Sequence, residues 1–127
     1  MYEYKIKQID RIVDGDTVDA TIDLGFDVLY KTRVRLYGIN TPETRTKDLE
    51  EKERGLAAKQ RLNEIINKAV HMGHHLILQT KEKGKFGRYL GIIIIQDCRP
   101  DHQEEKSNVN QMLVEEGHAT PYFGGKR

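Results

Sequence analysis

The order of strand and helix patterns along the 127 residues predicts a mainly β fold, a five-stranded Greek-key barrel with two to three packed helices. Three observations lead to this prediction. Three strand-like segments come first, two more follow a long amphipathic helical segment, and a shorter helical segment comes last. We expect a single domain over residues 1–127, because this length suffices for one hydrophobic core and no repeat or linker interrupts the chain.

The first part of the chain predicts a β-hairpin. Tyr2 to Ile12 forms the first strand, and the three-residue step from Ile6 to Ile9 breaks its alternation, which indicates a β-bulge. Gly15 lies between two aspartates and marks a tight turn, because Gly permits positive φ and Asp favours local side-chain hydrogen bonds. The next strand alternates apolar and polar residues, and its predicted inward residues are Val18, Ala20, Ile22 and Leu24.

A third strand is predicted from Val28 to Tyr37, and it carries cations into a turn. Arg33 and Arg35 share one face, since successive side chains of a strand point to opposite faces. Pro42 fixes its own φ and pushes Thr41 towards an extended conformation. The strand therefore places guanidinium groups, which suit phosphate, next to a rigid turn rich in oxygen ligands, which suit a hard metal ion.

The second half of the chain predicts two helices and two strands. Thr44 to Arg54 has no apolar period and is predicted to be mostly loop, with Asp48 as a candidate helix cap. A long helix follows, and Gly73 is predicted to end it. The apolar stripe of this helix consists of Ala58, Leu62, Ile65, Ile66 and Ala69. Strands follow at Leu76–Thr80 and Gly87–Gln96, and a helix at Ser107–Glu116. The resulting order β-β-β-α-β-β-α is that of the OB-fold.

Composition excludes several classes of protein. With 37% hydrophobic and 32% charged residues, the chain is expected to be water-soluble. The longest aliphatic run, Ile92–Ile95, is too short to span a bilayer, and its apolar residues on both parities predict a strand buried on both sides. The net charge of +1 gives no global steering towards nucleic acid. Cys98 is the single cysteine, so no intramolecular disulfide forms. We expect a monomer without a membrane partner.

The first residues contain no apolar core and no visible secretory signal. We therefore expect a cytoplasmic protein if the chain is complete, and a secreted one if it is a mature form.

Three short segments, each where a strand meets a turn, supply groups suited to phosphodiester chemistry. Asp16 offers a carboxylate, Asn40 an amide oxygen and Thr41 a backbone carbonyl, which are the oxygen ligands that Ca²⁺ takes. Arg35 and Arg88 can form bidentate hydrogen bonds to phosphate oxygens.

Glu43 can accept a proton from an attacking water. Arg33 is interpreted differently, as one partner of a surface ion pair, and the histidines His71, His74 and His75 are not interpreted as a zinc site, since such sites need fixed geometry.

The sequence resembles the staphylococcal nuclease (thermonuclease) family over nearly its whole length. The motifs that carry the resemblance are Val13-Asp-Gly-Asp-Thr-Val18, Arg35-Leu-Tyr-Gly-Ile-Asn-Thr-Pro-Glu-Thr44, Lys85-Phe-Gly-Arg-Tyr89 and Val109-Asn-Gln-Met-Leu-Val-Glu-Glu-Gly117. The resemblance implies an OB-fold barrel with packed helices. It also implies calcium-dependent hydrolysis of DNA and RNA to products with 3′-phosphate ends, and we expect a preference for single strands.

The resemblance also implies roles for individual residues. Its calcium ligands are Asp16, Asn40 and the Thr41 carbonyl, and its catalytic residues are Arg35, Glu43 and Arg88. Lys85, Phe86 and Tyr122 match positions that contact the substrate.

The chain departs from the family pattern at two of these positions. Asn40 stands where the family's well-known member has an aspartate, and Phe86 where a tyrosine is frequent. Because Ca²⁺ affinity follows ligand charge, Asn40 predicts weaker metal binding.

Asn40 therefore leaves an alternative function open. The chain could instead be a catalytically weak or inactive OB-fold module that binds single-stranded nucleic acid or a protein partner. Retention of Arg35, Glu43 and Arg88 favours the enzyme, because a module that only binds needs no carboxylate to position water.

Overall fold

The computed structural model describes residues 2–83, 89–102 and 105–122. Eight strands and two α-helices follow one another, with a short 3-10 turn before the seventh strand. They are β1 (Tyr2–Asp14), β2 (Thr17–Asp23), β3 (Leu29–Leu36), β4 (Ile39–Asn40), α1 (Leu49–His71), β5 (His75–Lys83), β6 (Tyr89–Gln96), the turn Pro100–His102, β7 (Lys106–Asn108), α2 (Val109–Glu115) and β8 (Thr120–Pro121). Among the described residues, no helix is long and apolar enough to cross a membrane.

Five of the strands close into a barrel. The order β3-β2-β1-β5-β6 is antiparallel throughout, and a parallel pairing of β3 with β6 joins its two edges. β7 extends the sheet beside β6, and β4 pairs with β8 in a separate two-stranded sheet. This closed five-stranded mixed barrel with a helix between its third and fourth strands confirms the predicted OB-fold.

Strand β1 is long enough to pair on both sides because it is bulged. Its ladder with β2 shifts register between Ile6 and Gln8, as the broken alternation predicted, and again after Ile9 and after Ile12. Each bulge raises the local twist, and a strongly twisted strand is what a small barrel needs in order to close. The N-terminal end of β1 can therefore pair with β5 while the remainder pairs with β2.

The hydrophobic core lies inside the barrel and under α1. The stripe predicted on α1 is buried as expected, and the largest fully buried side chains are Leu36, Leu62, Ile93, Leu113, Val18, Val34 and Val109. One inference for the second strand was wrong, because Leu24 is 42% exposed and β2 ends at Asp23. Thr21 lies on the opposite parity to the core residues of this strand, but it is buried and its hydroxyl donates a hydrogen bond to Asp10 Oδ2.

Helix α1 begins earlier than predicted. Asp48 is its N-cap, and the carboxylate accepts hydrogen bonds from the backbone N–H groups of Glu50 and Glu51. The segment 49–54 is therefore helix rather than loop. The prediction of a loop rested on the lack of an apolar stripe. The cap at Asp48, together with acidic residues in the first turn that interact favourably with the helix dipole, stabilises a helix here without such a stripe. α1 ends before Gly73, which has a φ of 76°.

Helix α2 covers one side of β6. Asn108 caps the helix by accepting a hydrogen bond from the Gln111 N–H, and α2 packs against β6. Ile93, which belongs to the core cluster, and Ile94 on the opposite parity are both buried, which confirms the prediction that this strand is covered on both sides.

Candidate active site

A polar cleft opens beside the turn between β1 and β2, where the end of β3 meets the loop that precedes α1. It is lined by residues of that turn, by Arg33 and Arg35, and by residues 41–45. Of the side chains that the sequence singled out, Asp16, Arg35 and Glu43 line this cleft together with Thr41. The fold thus gathers groups that are 27 residues apart in sequence, from Asp16 to Glu43.

Asp16 in the cleft is held by two hydrogen bonds and an ion pair. Its Oδ1 accepts a hydrogen bond from the Thr17 hydroxyl at 2.9 Å, and its Oδ2 accepts one from the Thr41 N–H at 3.0 Å. The Arg35 Nη1 lies 3.3 Å from the same Oδ2. Only 5% of Asp16 is exposed, so burial is compensated by hydrogen bonds and an opposite charge. The carboxylate is therefore fixed in position.

Gly15 brings this turn against helix α1. The predicted reason for the glycine, a positive φ, was wrong, since Gly15 is not among the positive-φ residues. A Cβ there would lie 2.8 Å from the Ala58 Cβ and 3.1 Å from the Thr41 Cγ2. Only glycine permits this close approach, which packs the Asp16 turn directly on α1 and on the Thr41 loop.

Arg35 links Asp16 to Asn40. Its Nη2 donates to the Asn40 Oδ1 at 2.8 Å and its Nη1 to the Leu36 carbonyl at 3.2 Å, and its side chain is 13% exposed. The amide oxygen of Asn40 is therefore oriented by the guanidinium. Strand β4 fixes the backbone of Asn40 by pairing it with Thr120.

The donor set fits a hard divalent cation in kind but is low in charge. Asp16, Asn40 and the Thr41 carbonyl offer one carboxylate, one amide and one backbone oxygen, as Ca²⁺ sites do. The Asp16 Oδ2–Thr41 N–H hydrogen bond holds the two segments side by side. Arg35 offsets the single negative charge of Asp16. The fit is therefore one of ligand type, with the neutral Asn40 lowering the expected affinity.

Glu43 sits at the exposed rim of the cleft, on a loop that α1 supports. A Cβ at Gly55 would lie 2.6 Å from the Glu43 carbonyl oxygen and 2.7 Å from that of Pro42. The Thr44 hydroxyl also donates to the Asp14 Oδ1 at 2.5 Å, which ties the loop to the end of β1. Sequence reasoning missed Gly55. The available signal was a glycine inside a helix, which usually has a packing reason.

The remaining predicted residues fall partly outside what the structure describes. Lys85, Phe86 and Arg88 lie outside the described residues. Tyr89, which follows them, pairs with Val34. The Tyr122 N–H donates to the Gly38 carbonyl at 2.8 Å, so its backbone lies beside the segment that carries Asn40.

A second polar cluster lies at the other end of β6. The Cys98 N–H donates to His74 Nδ1 at 3.1 Å, and Asp97 accepts hydrogen bonds from the Arg99 Nη2 at 2.8 Å and Nε at 3.0 Å. These hydrogen bonds hold the pKa of Asp97 well below its usual range. Because the Asp97 carboxylate is committed to Arg99 and His74 Nδ1 to a backbone N–H, this cluster serves to anchor the loop.

The sequence of this chain also matches a known protein family. The family model described as Staphylococcal nuclease homologue matches residues 33–127, and the chain belongs to this family. The resemblance inferred from the four sequence motifs is thereby confirmed. The matched segment contains Arg35, Asn40, Thr41 and Glu43, and Asp16 precedes it.

Individual relatives extend the similarity to the N-terminal part of the chain. Endonuclease YhcR of Bacillus subtilis (strain 168) is 31% identical, over 91% of this chain and 9% of that protein. The micrococcal nuclease of Shigella flexneri is 30% identical over 91% of this chain and 57% of its own length. The protein ParB of Escherichia coli is 29% identical over 94% and 59%. The chain thus spans less than two thirds of each of these relatives.

Proposed function

We propose that this chain is a metal-dependent nuclease that hydrolyses DNA and RNA with Ca²⁺ and leaves 3′-phosphate ends. The observation that carries the proposal is that Asp16, Arg35 and Thr41 line one cleft with the exposed Glu43, and that Arg35 also donates a hydrogen bond to the Oδ1 of Asn40 beside this cleft. Family membership and the names of two relatives, an endonuclease and a micrococcal nuclease, support it. We further propose that the chain acts as a monomer and prefers single strands.

In this proposal Asp16, Asn40 and the Thr41 carbonyl hold the calcium ion. When bound, the cation supplies positive charge to an oxygen of the scissile phosphate. The buried Asp16 and the backbone of Thr41 are already held in place by hydrogen bonds, so little ordering is needed on binding.

The other residues act on the phosphate and on water. Glu43 is exposed, and it orients the attacking water or takes its proton. The Arg35 guanidinium stabilises the negative charge that grows on the phosphate oxygens as the bond to water forms, and Arg88 is proposed to do the same. Lys85, Phe86 and Tyr122 are proposed to hold the neighbouring nucleotide, with the Phe86 ring stacking on a base.

The test is an assay on single-stranded DNA with millimolar Ca²⁺. We expect cleavage that EDTA abolishes and that Arg35→Ala lowers by about 10²- to 10³-fold, the loss typical for removal of one group that stabilises transition-state charge. Arg61→Ala is the matched control, because Arg61 on α1 makes a surface ion pair with Glu116 at the end of α2 and does not line the cleft. Activity that persists in both EDTA and Arg35→Ala would contradict the mechanism.

One observation favours a second function, binding without cleavage. Asn40 is neutral and its oxygen already accepts a hydrogen bond from Arg35, so Asp16 is the only carboxylate in the proposed ligand set. A module of this kind would retard single-stranded oligonucleotides in a gel and leave them intact in Ca²⁺. End-labelled DNA in the same lanes separates the two functions, since a nuclease shortens it.

A further inference from the structure

The outer face of the sheet beside the cleft carries three rows of side chains that run across three strands. From the registers of β1 with β2 and of β2 with β3, the rows are Asp14–Thr17–Arg35, Arg11–Asp19–Arg33 and Gln8–Thr21–Lys31. Each row ends on β3 in a cation. Successive cations are two residues apart, or about 6.6 Å along the strand. This spacing is close to the distance between neighbouring phosphates in an extended nucleic-acid strand.

Arg33, the middle cation, is held by its neighbour on β2. Its Nε donates to Asp19 Oδ1 at 2.8 Å and its Nη2 to Asp19 Oδ2 at 3.2 Å. The ion pair confirms the interpretation drawn from the sequence. These two bonds use two of the five N–H donors of a guanidinium, and the side chain is 46% exposed. Asp19 therefore fixes the direction of the guanidinium and leaves donors for a further ligand.

The carboxylate of Asp19 interacts with two guanidiniums, not only with that of Arg33. Arg11 is its register partner on β1, and together Arg33 and Arg11 lower the pKa of Asp19. The middle row thus has two guanidiniums and one carboxylate, and Asp14 of the first row also acts on Arg33. In the third row, Thr21 donates a hydrogen bond to Asp10, and Lys31 interacts with the same carboxylate. Of the two arginines on β3, Arg33 has the more exposed side chain, 46% against 13% for Arg35, so an anion on this face can reach it.

The position of Arg33 connects two depressions of the surface. It lines the candidate active-site cleft together with Arg35, and it also lines an adjoining depression with Lys31 and Asp19. A strand whose phosphate lies at Arg35 can therefore continue along β3 without leaving the surface.

We propose that Arg33 binds the phosphodiester next to the one at Arg35, so that the substrate strand runs along the outer face of β3 towards Lys31. This inference rests on the proposed nuclease function and adds a second phosphate site to it. It makes Arg33 a residue that selects for substrates with consecutive phosphates. A substrate with one phosphodiester gains nothing from it.

The experiment compares a single-stranded DNA dodecamer with a nucleotide p-nitrophenyl ester that carries one phosphodiester. In Ca²⁺, Arg33→Ala should lower kcat/KM for the dodecamer roughly three- to tenfold and leave the ester unchanged. In EDTA, where no cleavage is expected, fluorescence anisotropy measures dodecamer binding over a range of salt concentrations. Loss of one phosphate contact should reduce the slope of log K against log salt by about 0.7.

Asp19→Ala is the matched control, because it breaks the same ion pair but keeps the guanidinium. If the ion pair only stabilises the sheet, the two variants should affect stability and dodecamer binding equally. If Arg33 binds phosphate, only Arg33→Ala weakens binding, and Asp19→Ala retains or strengthens it. Equal effects of the two variants, or an unchanged dodecamer with Arg33→Ala, would overturn the inference.

The failure of the proposed function is distinguishable from the failure of this site. If the wild type cuts neither substrate in Ca²⁺, the nuclease function is wrong, and the anisotropy comparison in EDTA still decides whether Arg33 binds phosphate. If the wild type cuts both substrates and Arg33→Ala lowers both by the same factor, the nuclease function stands and the second phosphate site does not.

Discussion

In the proposed metal site, Asn40 is the ligand side chain that carries no charge. Its Oδ1 accepts a hydrogen bond from Arg35, so a negative charge at this position would attract both the Arg35 guanidinium and a bound metal ion. A carboxylate would still accept the Arg35 hydrogen bond and would supply a second negative charge. Because oxygen sites bind Ca²⁺ more tightly as their ligand charge increases, the net effect should favour the metal.

We predict that Asn40→Asp binds Ca²⁺ roughly tenfold more tightly, about 1.4 kcal/mol, as measured by titration calorimetry. Asn63→Asp makes the same chemical change on the exposed surface of α1 and should leave the affinity as it is. If Asn40→Asp does not raise the Ca²⁺ affinity, either the Arg35 guanidinium neutralises the added charge or residue 40 does not contact the metal. Repeating the titration with Arg35→Ala combined with Asn40→Asp separates these two causes.

At the scale of elements, helix α1 supports the loop that carries Glu43 through contacts that only small residues permit. Gly55 meets the backbone of Pro42 and Glu43, and Ala58 meets the Gly15 turn next to Asp16. One face of α1 therefore positions the two backbone segments that carry Asp16 and Glu43. The proposed nuclease activity would need such support, because catalysis requires reacting groups to be held within fractions of an ångström.

We predict that Gly55→Ala lowers kcat by tenfold or more while α1 stays helical. Alanine favours the helix by about 1 kcal/mol, but its Cβ would displace the backbone that carries Glu43. Stopped-flow cleavage of the p-nitrophenyl ester measures kcat and KM, and circular dichroism monitors the helix. Asn67→Ala, on the exposed part of α1, is the control. An unchanged kcat would show that the loop shifts without consequence for Glu43.

The elements also show what could be predicted from the sequence. Strand alternation, turn glycines and the α1 stripe predicted the barrel, because these signals are local and periodic. The start of α1 was missed because residues 50–54 are all charged and Leu49 alone gives no apolar stripe, so that only the cap at Asp48 marked the beginning of the helix. The roles of Gly15 and Gly55 depend on contacts with distant segments, which no local pattern contains.

Part of the candidate site could also be predicted from local sequence signals. Asp16, Arg35 and Glu43 stand in short motifs at strand ends, and they meet in one cleft. The position of Arg33 between two surface depressions follows from the register of β2 with β3, which strand patterns alone do not specify. Motifs therefore located the cleft, whereas the surface leading away from it required the three-dimensional structure.

At the scale of the whole molecule, the loop after β6 links stability to pH. The Arg99 side-chain hydrogen bonds, followed by the Arg99 N–H, lower the pKa of Asp97 from its usual value of 3.8. A carboxyl whose folded-state pKa is depressed stabilises the fold above its unfolded pKa, and this contribution is lost as pH falls through the folded pKa. Asp97 should therefore stabilise the protein fully above about pH 5 and progressively less in acid.

We predict that Asp97→Asn lowers the free energy of unfolding at pH 7 and that its deficit relative to wild type shrinks at pH 3. Arg99→Ala should reproduce this behaviour, because Arg99 is the main cause of the depressed pKa. Urea denaturation of the three proteins at both pH values measures the effect. The asparagine variant still fills the same space, so a deficit that stays constant with pH would mean that Asp97 acts through packing or neutral hydrogen bonds. In that case the acid sensitivity of the fold must come from other carboxylates with depressed pKa values, such as Glu116 at the end of α2, which forms an ion pair with Arg61 of α1.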